Sequence, residues 1–139
     1  MKGLAFFDTN ILIYADDASA KRKREQAISL IVEHRGGNSM VTSLQVLQEY
    51  YAAATRKLGV AAEIAQRKVE ILARGRVVRF TEQDVIASIE LHRLAKISFW
   101  DAMIVQAARL AGAAVLYSED MGHGATIGGV KIRNPFTET

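Results

Sequence analysis

Short apolar runs alternate with longer stretches of helical periodicity along the whole chain. The first run, residues 4–7, predicts a buried strand that ends directly before Asp8. Further short runs predict strands at residues 40–41, 76–80, 113–117 and 130–133. A glycine-rich loop over residues 118–129 separates the last two of these strands.

The segments between the strands have apolar positions at helical spacing. In chain order, they predict a short helix over residues 11–14, longer helices over 20–34, from a cap at Thr42 to near Gly59, over 61–73, after a cap at Thr81, and over 99–111. Thr42 is followed three residues later by Gln45, which is the form of a capping box. The buried face of the fifth of these six helices is predicted to consist of Val85, Ile86, Ile89 and Leu94.

Strands that alternate with helices are typical of a parallel, doubly wound sheet. The chain has 139 residues, which suggests a single domain over residues 1–139. We therefore predict an α/β fold with about five parallel strands and with helices on both faces of the sheet. In such a sheet, ligands bind outside the carboxyl ends of the strands, which is where Asp8 lies.

Composition excludes several classes of chemistry. The chain has no cysteine, so it has neither a disulfide, a thiolate metal site nor a cysteine nucleophile, which fits a cytoplasmic protein. The sequence shows no signal-peptide h-region and no apolar run long enough to span a bilayer, so no membrane association is expected. A formal net charge of +3 permits a nucleic-acid substrate.

Four acidic residues stand at strand ends or near helix starts. They are Asp8, Glu49, Asp101 and Asp120. Each has a simpler explanation. Asp8 could cap the helix behind it, Asp101 could complete a capping box with Ser98, Glu49 could face solvent, and Asp120 could be an ordinary loop residue.

The positions of these acids predict that they meet at one edge of the sheet. Two carboxylates about 6 Å apart repel by roughly 3 kcal/mol at an effective dielectric near 20, so four of them cost on the order of 15 kcal/mol. A whole domain is stable by only about 5–15 kcal/mol. Such a cluster must take up protons or hold a cation, and oxygen ligands favour Mg²⁺ or Mn²⁺.

The three histidines are weaker candidates for a site. His34 and His92 stand alone on predicted helices and are expected at the surface. His123 lies in the glycine-rich loop near Asp120, where it could contact a substrate or be merely exposed.

The four acidic segments resemble the motifs of the PIN-domain ribonucleases, and most closely those of VapC-type toxins of bacterial toxin–antitoxin pairs. The matching segments are Phe7-Asp8-Thr9-Asn10, the helical Glu49, Ser98-Phe99-Trp100-Asp101-Ala102, Ser118-Glu119-Asp120 and the terminal Arg133-Asn134-Pro135-Phe136. Together they extend over essentially the whole chain.

The resemblance implies an α/β/α sandwich with a five-stranded parallel sheet and an acidic pocket that binds Mg²⁺ or Mn²⁺. Carried over, the catalytic and metal-binding residues are Asp8, Glu49, Asp101 and Asp120. Thr9, Asn10 and Ser118 match the small polar residues that orient the acids or a bound water. Glu119 is adjacent to Asp120 and remains open as a further ligand.

The implied reaction is hydrolysis of an RNA phosphodiester by a metal-bound water, without a side-chain nucleophile. Phosphates of the RNA could be held by the basic run Lys21, Arg22, Lys23 and Arg24, which could equally be a solvated helix face. The pairs Arg56–Lys57 and Arg74–Arg76 are further basic candidates.

The resemblance also implies two protein partners, a cognate antitoxin and a second copy of the chain. Tyr51, Leu58, Val60 and Ile64 could form an apolar contact patch, although core packing would explain them equally well.

Two other functions compete with the nuclease. A nucleotide-binding protein of the doubly wound class needs a glycine turn after the first strand, and Asp8, Thr9 and Asn10 occupy that turn instead. A PIN-like RNA-binding or scaffold module with little nuclease activity would retain the same fold.

Overall fold

Strands and helices alternate along residues 3–137, the part of the chain that the computed structural model describes. The strands are β1 (Ala5–Phe7), β2 (Met40–Ser43), β3 (Arg76–Val78), β4 (Val115–Tyr117), β5 (Thr126–Ile127) and β6 (Val130–Arg133). The helices are α1 (Thr9–Ala15), α2 (Lys21–Gly36), α3 (Leu44–Arg56), α4 (Ala62–Ala73), α5 (Glu82–Ala95) and α6 (Phe99–Leu110).

The strands form one sheet in the order β3-β2-β1-β4-β6-β5. All neighbours pair in parallel except β5 and β6. In the centre, Phe6 lies beside Val41 on one side and Leu116 on the other. The carboxyl ends of the five parallel strands therefore share one edge, and the predicted α/β class with a mostly parallel sheet flanked by helices is confirmed.

The sheet has one strand more than predicted, because the glycine-rich loop contains the short strand β5. Gly128 and Gly129 have φ angles of +57° and +84°, and they join β5 to β6 as a two-residue hairpin turn. Positive φ at both central residues is what such a turn requires, and glycine adopts it without steric cost. The two adjacent glycines are typical of a hairpin turn, but the predicted strands did not include a hairpin at this position.

The cap of α3 lies one residue later than predicted. The Ser43 hydroxyl accepts a hydrogen bond from the Val46 backbone N–H at 3.3 Å. Thr42 instead belongs to β2, where it pairs with Val77. Because β2 continues to Ser43, the chain passes from strand to helix without a loop, and the helix begins at the sheet edge.

The inner face of α5 differs from the predicted one. Ile86, Ile89 and Leu94 are 47%, 41% and 82% exposed, and Val85 is exposed as well. Ser88 and Leu91 are buried instead, on the helix that packs closely against α6. A small side chain at the contact allows two helices to approach closely. The helical periodicity identified the apolar positions of α5, but it did not show which side of the helix packs against the rest of the protein.

His34 is buried, so the prediction of a surface position is wrong. Its ring packs against those of Phe7 and Tyr117, with centroids 5.5 Å from each. Its Nδ1 lies 2.7 Å from the Ser39 hydroxyl. The helical pattern around His34 did not reveal these partners because they come from two strands and a loop. His92 is half-buried.

The helices pack mainly in sequential pairs. α1 contacts α2, α3 contacts α4, and α5 contacts α6. Between residues 3 and 137, no helix combines the length and the apolar character that crossing a membrane would need. The central strand β1 is completely buried, which fixes the position of the residues that follow it at the sheet edge.

Candidate active site

One cavity of about 570 Å³ opens at the carboxyl edge of the sheet, and the four predicted acids line it. Its lining comprises Asp8, Thr9, Asn10, Ile13, Tyr14, Asp17, Glu49, Ala53, Lys57, Leu58, Asp101, Glu119 and Asp120. We call this space the acid cavity. Its acidic residues come from segments far apart in the chain, which the parallel sheet and the helix starts bring to one place.

Asp8 lies at the bottom of this arrangement and is 8% exposed. Its backbone N–H donates to the Tyr117 carbonyl at 2.9 Å, which ties the end of β1 to the end of β4. Its carboxylate accepts from the Thr9 backbone N–H at 2.7 Å and from the Ser118 hydroxyl at 2.8 Å. Asp8 is also the N-cap of α1, so the simpler explanation of Asp8 as a helix cap is correct.

Burial raises the pKa of Asp8 from 3.8 to about 6. The hydrogen bonds from Ser118 and Thr9 oppose this rise, and the negative charges of Glu49 and Asp101 add to it. Burial also raises the pKa of Asp101, against a hydrogen bond with Ser98, and the charges of Asp120 and Glu49 contribute further. These acids are therefore close enough to affect one another's ionisation.

The carboxylate of Glu49, on α3, accepts hydrogen bonds from one residue of α1 and one residue of α3. The Thr9 hydroxyl donates to Glu49 Oε1 at 2.6 Å, and the Gln45 amide donates to Oε2 at 3.0 Å. Gln45 also donates to the Trp100 carbonyl at 3.3 Å, which links α3 to the start of α6. The sequence analysis missed this role of Gln45, although a spacing of four residues puts Gln45 and Glu49 on one helix face.

Asp101 occupies the third position of α6. The Ser98 hydroxyl caps this helix by accepting from the Asp101 backbone N–H at 3.0 Å. A cap of this kind fixes the first turn of a helix, and with it the direction of the Asp101 side chain. Asp101 is half-buried and lines the acid cavity.

Asp120 follows β4 and is exposed at the cavity mouth. The Asn10 amide donates to its carboxylate at 3.1 Å. The buried Ser118 hydroxyl accepts from the Asp120 backbone N–H at 3.3 Å while it donates to Asp8. Ser118 and Asn10 therefore connect Asp8, the first of the four acids in the chain, to Asp120, the last.

Glu119 has partners outside the set of four acids. Its carboxylate accepts from the Tyr14 hydroxyl at 2.9 Å and forms an ion pair with the Lys23 ammonium at 2.5 Å. Its backbone N–H donates to the Asn10 side-chain carbonyl at 3.3 Å. Tyr14 was not predicted as a site residue, although it follows Asn10 by four positions on α1 and therefore shares its face.

The basic run of α2 does not line the acid cavity. Of Lys21, Arg22, Lys23 and Arg24, none belongs to the cavity lining, and Lys23 is occupied by Glu119. Among residues 3–137, the one cationic side chain that lines the cavity is Lys57, at the end of α3. His123 is exposed in the loop after β4, where its Nδ1 accepts from the Asn134 backbone N–H at 3.0 Å.

The acid cavity is rich in oxygen donors but is not closed around an ion. Over residues 3–137, no group of three or more histidine, aspartate and glutamate side chains is arranged so that it could hold a metal as it stands. The donor chemistry nevertheless fits a hard divalent cation, because six carboxylates and one ammonium group line the cavity. Burial is the main cause that raises the pKa of both Asp8 and Asp101, and the negative charges of neighbouring carboxylates add to the rise.

Comparisons with known proteins agree with this geometry. The family model described as PIN domain matches residues 5–125. A toxin–antitoxin complex from Klebsiella pneumoniae contains a chain with 22% identity and a TM-score of 0.68, over 95% of this chain and 98% of that one. The VapC20 toxin of Mycobacterium tuberculosis, which cleaves the sarcin–ricin loop, has 23% identity and a TM-score of 0.65, over 81% and 86%.

A third structure, DNA-bound VapBC from Salmonella typhimurium, has 22% identity and a TM-score of 0.68, over 96% of this chain and 98% of that one. At such identities the likeness concerns the fold. No curated protein matches this chain in sequence.

Proposed function

Because the chain belongs to the PIN-domain family, we propose that it is a divalent-metal-dependent endoribonuclease whose active site is the acid cavity. The observation that carries this proposal is the meeting of Asp8, Glu49, Asp101 and Asp120 in one cavity at the carboxyl edge of the sheet. The hydrogen bonds of Thr9 and Ser118 support it, since they hold the acids in place without neutralising them.

Asp8, Glu49, Asp101 and Asp120 would hold Mg²⁺ or Mn²⁺, which on binding makes hydroxide available near neutral pH and draws charge from the phosphate. A bound cation would favour the ionised forms of Asp8 and Asp101, because it offsets the burial and the neighbouring negative charge that raise the pKa of both groups. The carboxylates orient water for in-line attack on phosphorus. The bond to the 3′-oxygen then breaks, which leaves a 5′-phosphate and a 3′-hydroxyl.

The biological role that fits this nuclease is the toxin of a type II toxin–antitoxin pair, acting in the cytoplasm. This chain covers 98% of the matched chain in both the Klebsiella and the Salmonella complex, which supports the same role. The partner would be a cognate antitoxin that blocks the acid cavity. The RNA substrate follows from the reaction and from the resemblance of the acidic motifs.

A groove between α2 and α4 offers a surface for the antitoxin. It encloses about 550 Å³ and is lined mainly by aliphatic side chains, among which Val32 and Ile64 are both 65% exposed. Arg35, Arg67 and Lys68 outnumber the single acid Glu63 in its lining. Apolar and acidic residues in the antitoxin would complement this groove. Of the predicted apolar patch, only Ile64 lines it.

The exposed stripe of α5 supports the predicted homodimer. Val85, Ile86 and Ile89 lie on successive turns of one helix and are at least one-third exposed, with Ile86 at 47%. Contiguous aliphatic residues on the surface of a single chain mark an interaction site more often than isolated ones do. A second copy of the chain would cover this stripe through a two-fold axis.

RNA cleavage measured with and without metal tests the nuclease directly. The wild type should cleave in Mg²⁺ or Mn²⁺ and stop in excess EDTA, and Asp101→Asn should reduce the rate at least a hundredfold while it keeps the fold. Asp17→Asn is the matched control, since Asp17 lines the same cavity but bonds Ser19. RNA binding without metal-dependent cleavage would instead indicate a scaffold module.

A further inference from the structure

The C-terminal end of α3 is the only part of residues 3–137 that brings a cation into the acid cavity. Lys57 lines that cavity, and so does Glu49 two helical turns earlier. Glu49, Ala53 and Lys57 also line a second cavity of about 450 Å³, to which Arg56 contributes. The two cavities therefore form one continuous surface that leads from the acids to two basic side chains.

We propose that Arg56 and Lys57 bind the backbone phosphates of the RNA strand next to the cleaved bond, an assignment that rests on the proposed nuclease function. The strand would leave the acid cavity over the end of α3. This role then does not belong to the basic run of α2, which the sequence made the first candidate.

Charge is the first argument for this assignment. Six carboxylates line the acid cavity, and a phosphodiester that approaches them is repelled unless cations lie along its path. The ion pair with Lys23 offsets Glu119, but it leaves the other acids unbalanced. Lys57 is placed to attract the phosphate adjacent to the reacting one, while Arg56 extends the same positive surface into the second cavity.

Availability is the second argument. Arg56 and Lys57 are exposed, and neither side chain has an ion-pair partner among the described residues. Lys23, by contrast, bonds Glu119 and lies 4.8 Å from the Tyr14 ring centroid. A lysine engaged in this way positions the loop that carries Asp120, and using it for RNA would break those contacts.

A purely structural role for Arg56 and Lys57 predicts something different. Basic residues at a helix C-terminus interact favourably with the helix dipole, whether or not RNA is present. If this is their role, replacing either residue would lower the melting temperature and would leave RNA binding unchanged. Measuring both quantities separates the two explanations.

The test is RNA binding in an Asp101→Asn background, which prevents cleavage during the measurement. The probe is a fluorescein-labelled single-stranded RNA of mixed sequence, about 12 nucleotides long, so that it spans several phosphates, and anisotropy is followed over a range of KCl concentrations. Arg56→Gln and Lys57→Gln are compared with Lys21→Gln, which removes one charge from an exposed position on α2.

Each α3 variant should weaken binding roughly threefold or more at low salt and reduce the slope of log Kd against log salt by about 0.7. Lys21→Gln should change neither quantity. In the chain with Asp101 intact, Lys57→Gln should raise KM for RNA more than it lowers kcat. Equal effects from Lys57→Gln and Lys21→Gln, or none from either α3 variant, would overturn the assignment.

The outcomes also separate this assignment from the nuclease proposal. If the wild type never cleaves RNA but Lys57→Gln selectively weakens RNA binding, the nuclease proposal fails and the phosphate assignment stands. If the wild type cleaves and Lys57→Gln behaves like Lys21→Gln, the assignment fails and the nuclease proposal stands. Melting temperatures within about 2 °C of the parent show that the variants are folded.

Discussion

Replacing Asp8 by asparagine should stabilise the metal-free protein near neutral pH. Burial raises the pKa of Asp8 from 3.8 to about 6, so the folded chain holds this proton more tightly than the unfolded chain does. The resulting stability is fully present below about pH 3.8 and is lost as the pH rises through about 6. A difference of about two in the pKa between the folded and the unfolded chain corresponds to about 3 kcal/mol in the free energy of unfolding.

Asparagine avoids this penalty but loses part of the hydrogen bonding. The Thr9 N–H and the Ser118 hydroxyl bond the two different oxygens of the carboxylate, and an amide has only one oxygen, so the loss of one of these bonds costs about 1–2 kcal/mol. In EDTA, Asp8→Asn should therefore raise the free energy of unfolding by about 1–2 kcal/mol at pH 7.5. At pH 4 the gain should vanish or reverse.

Urea denaturation at the two pH values measures this difference, and Ser118→Ala provides a variant of opposite sign. The Ser118 hydrogen bond lowers the pKa of Asp8, so its removal should destabilise the protein more at pH 7.5 than at pH 4. A change in stability for Asp8→Asn that is the same at both pH values would refute the reasoning, because it would mean that the buried charge costs nothing.

Three further predictions concern the surroundings of the acid cavity. Ser98→Ala removes the cap of α6 and should cost about 1 kcal/mol in urea denaturation, with a smaller loss of cleavage than Asp101→Asn causes. Lys23→Met should lower kcat several-fold by freeing Glu119, without weakening RNA binding, and Lys23→Arg should restore the rate. If Lys23→Met lowers RNA binding and leaves kcat unchanged, its positioning role is wrong. Ile86→Glu should convert a dimer to a monomer in sedimentation without lowering the melting temperature, since Ile86 is 47% exposed; an unchanged dimer would place the interface elsewhere.

The meeting of the four acids could be predicted from sequence because it depends on topology. Asp8 and Asp120 follow parallel strands, and such strands end at one edge of the sheet. Asp101 follows its helix cap by three residues, which also places it near a helix start. Backbone direction alone brings these residues to one region, whatever their side chains contact.

The partners of Glu119 could not be predicted in the same way. Tyr14 comes from α1 and Lys23 from α2, and their contact depends on how the two helices pack together. A run of four basic residues therefore indicated RNA binding, although one of them is engaged with an acid. Sequence pattern records the charge of a side chain but not the neighbour that neutralises it.

The face of α5 shows a second limit. Helical spacing identified Val85, Ile86 and Ile89 as one stripe, and apolar stripes in a single chain usually face the core. The buried side of α5 instead carries Ser88, whose hydroxyl donates to the Asp84 backbone carbonyl at 2.8 Å. A small polar residue gives no hydrophobic signal, so the side of the helix that packs inward could not be read from periodicity.

The central claim is that Asp8, Glu49, Asp101 and Asp120 form one metal site. The most direct test is Mn²⁺ binding, followed by the electron paramagnetic resonance signal of the free ion, in the wild type, Asp8→Asn, Asp101→Asn and the control Asp17→Asn. The wild type and Asp17→Asn should bind Mn²⁺ with the same affinity, and the other two variants should lose at least tenfold. Equal binding by all four proteins would contradict the claim.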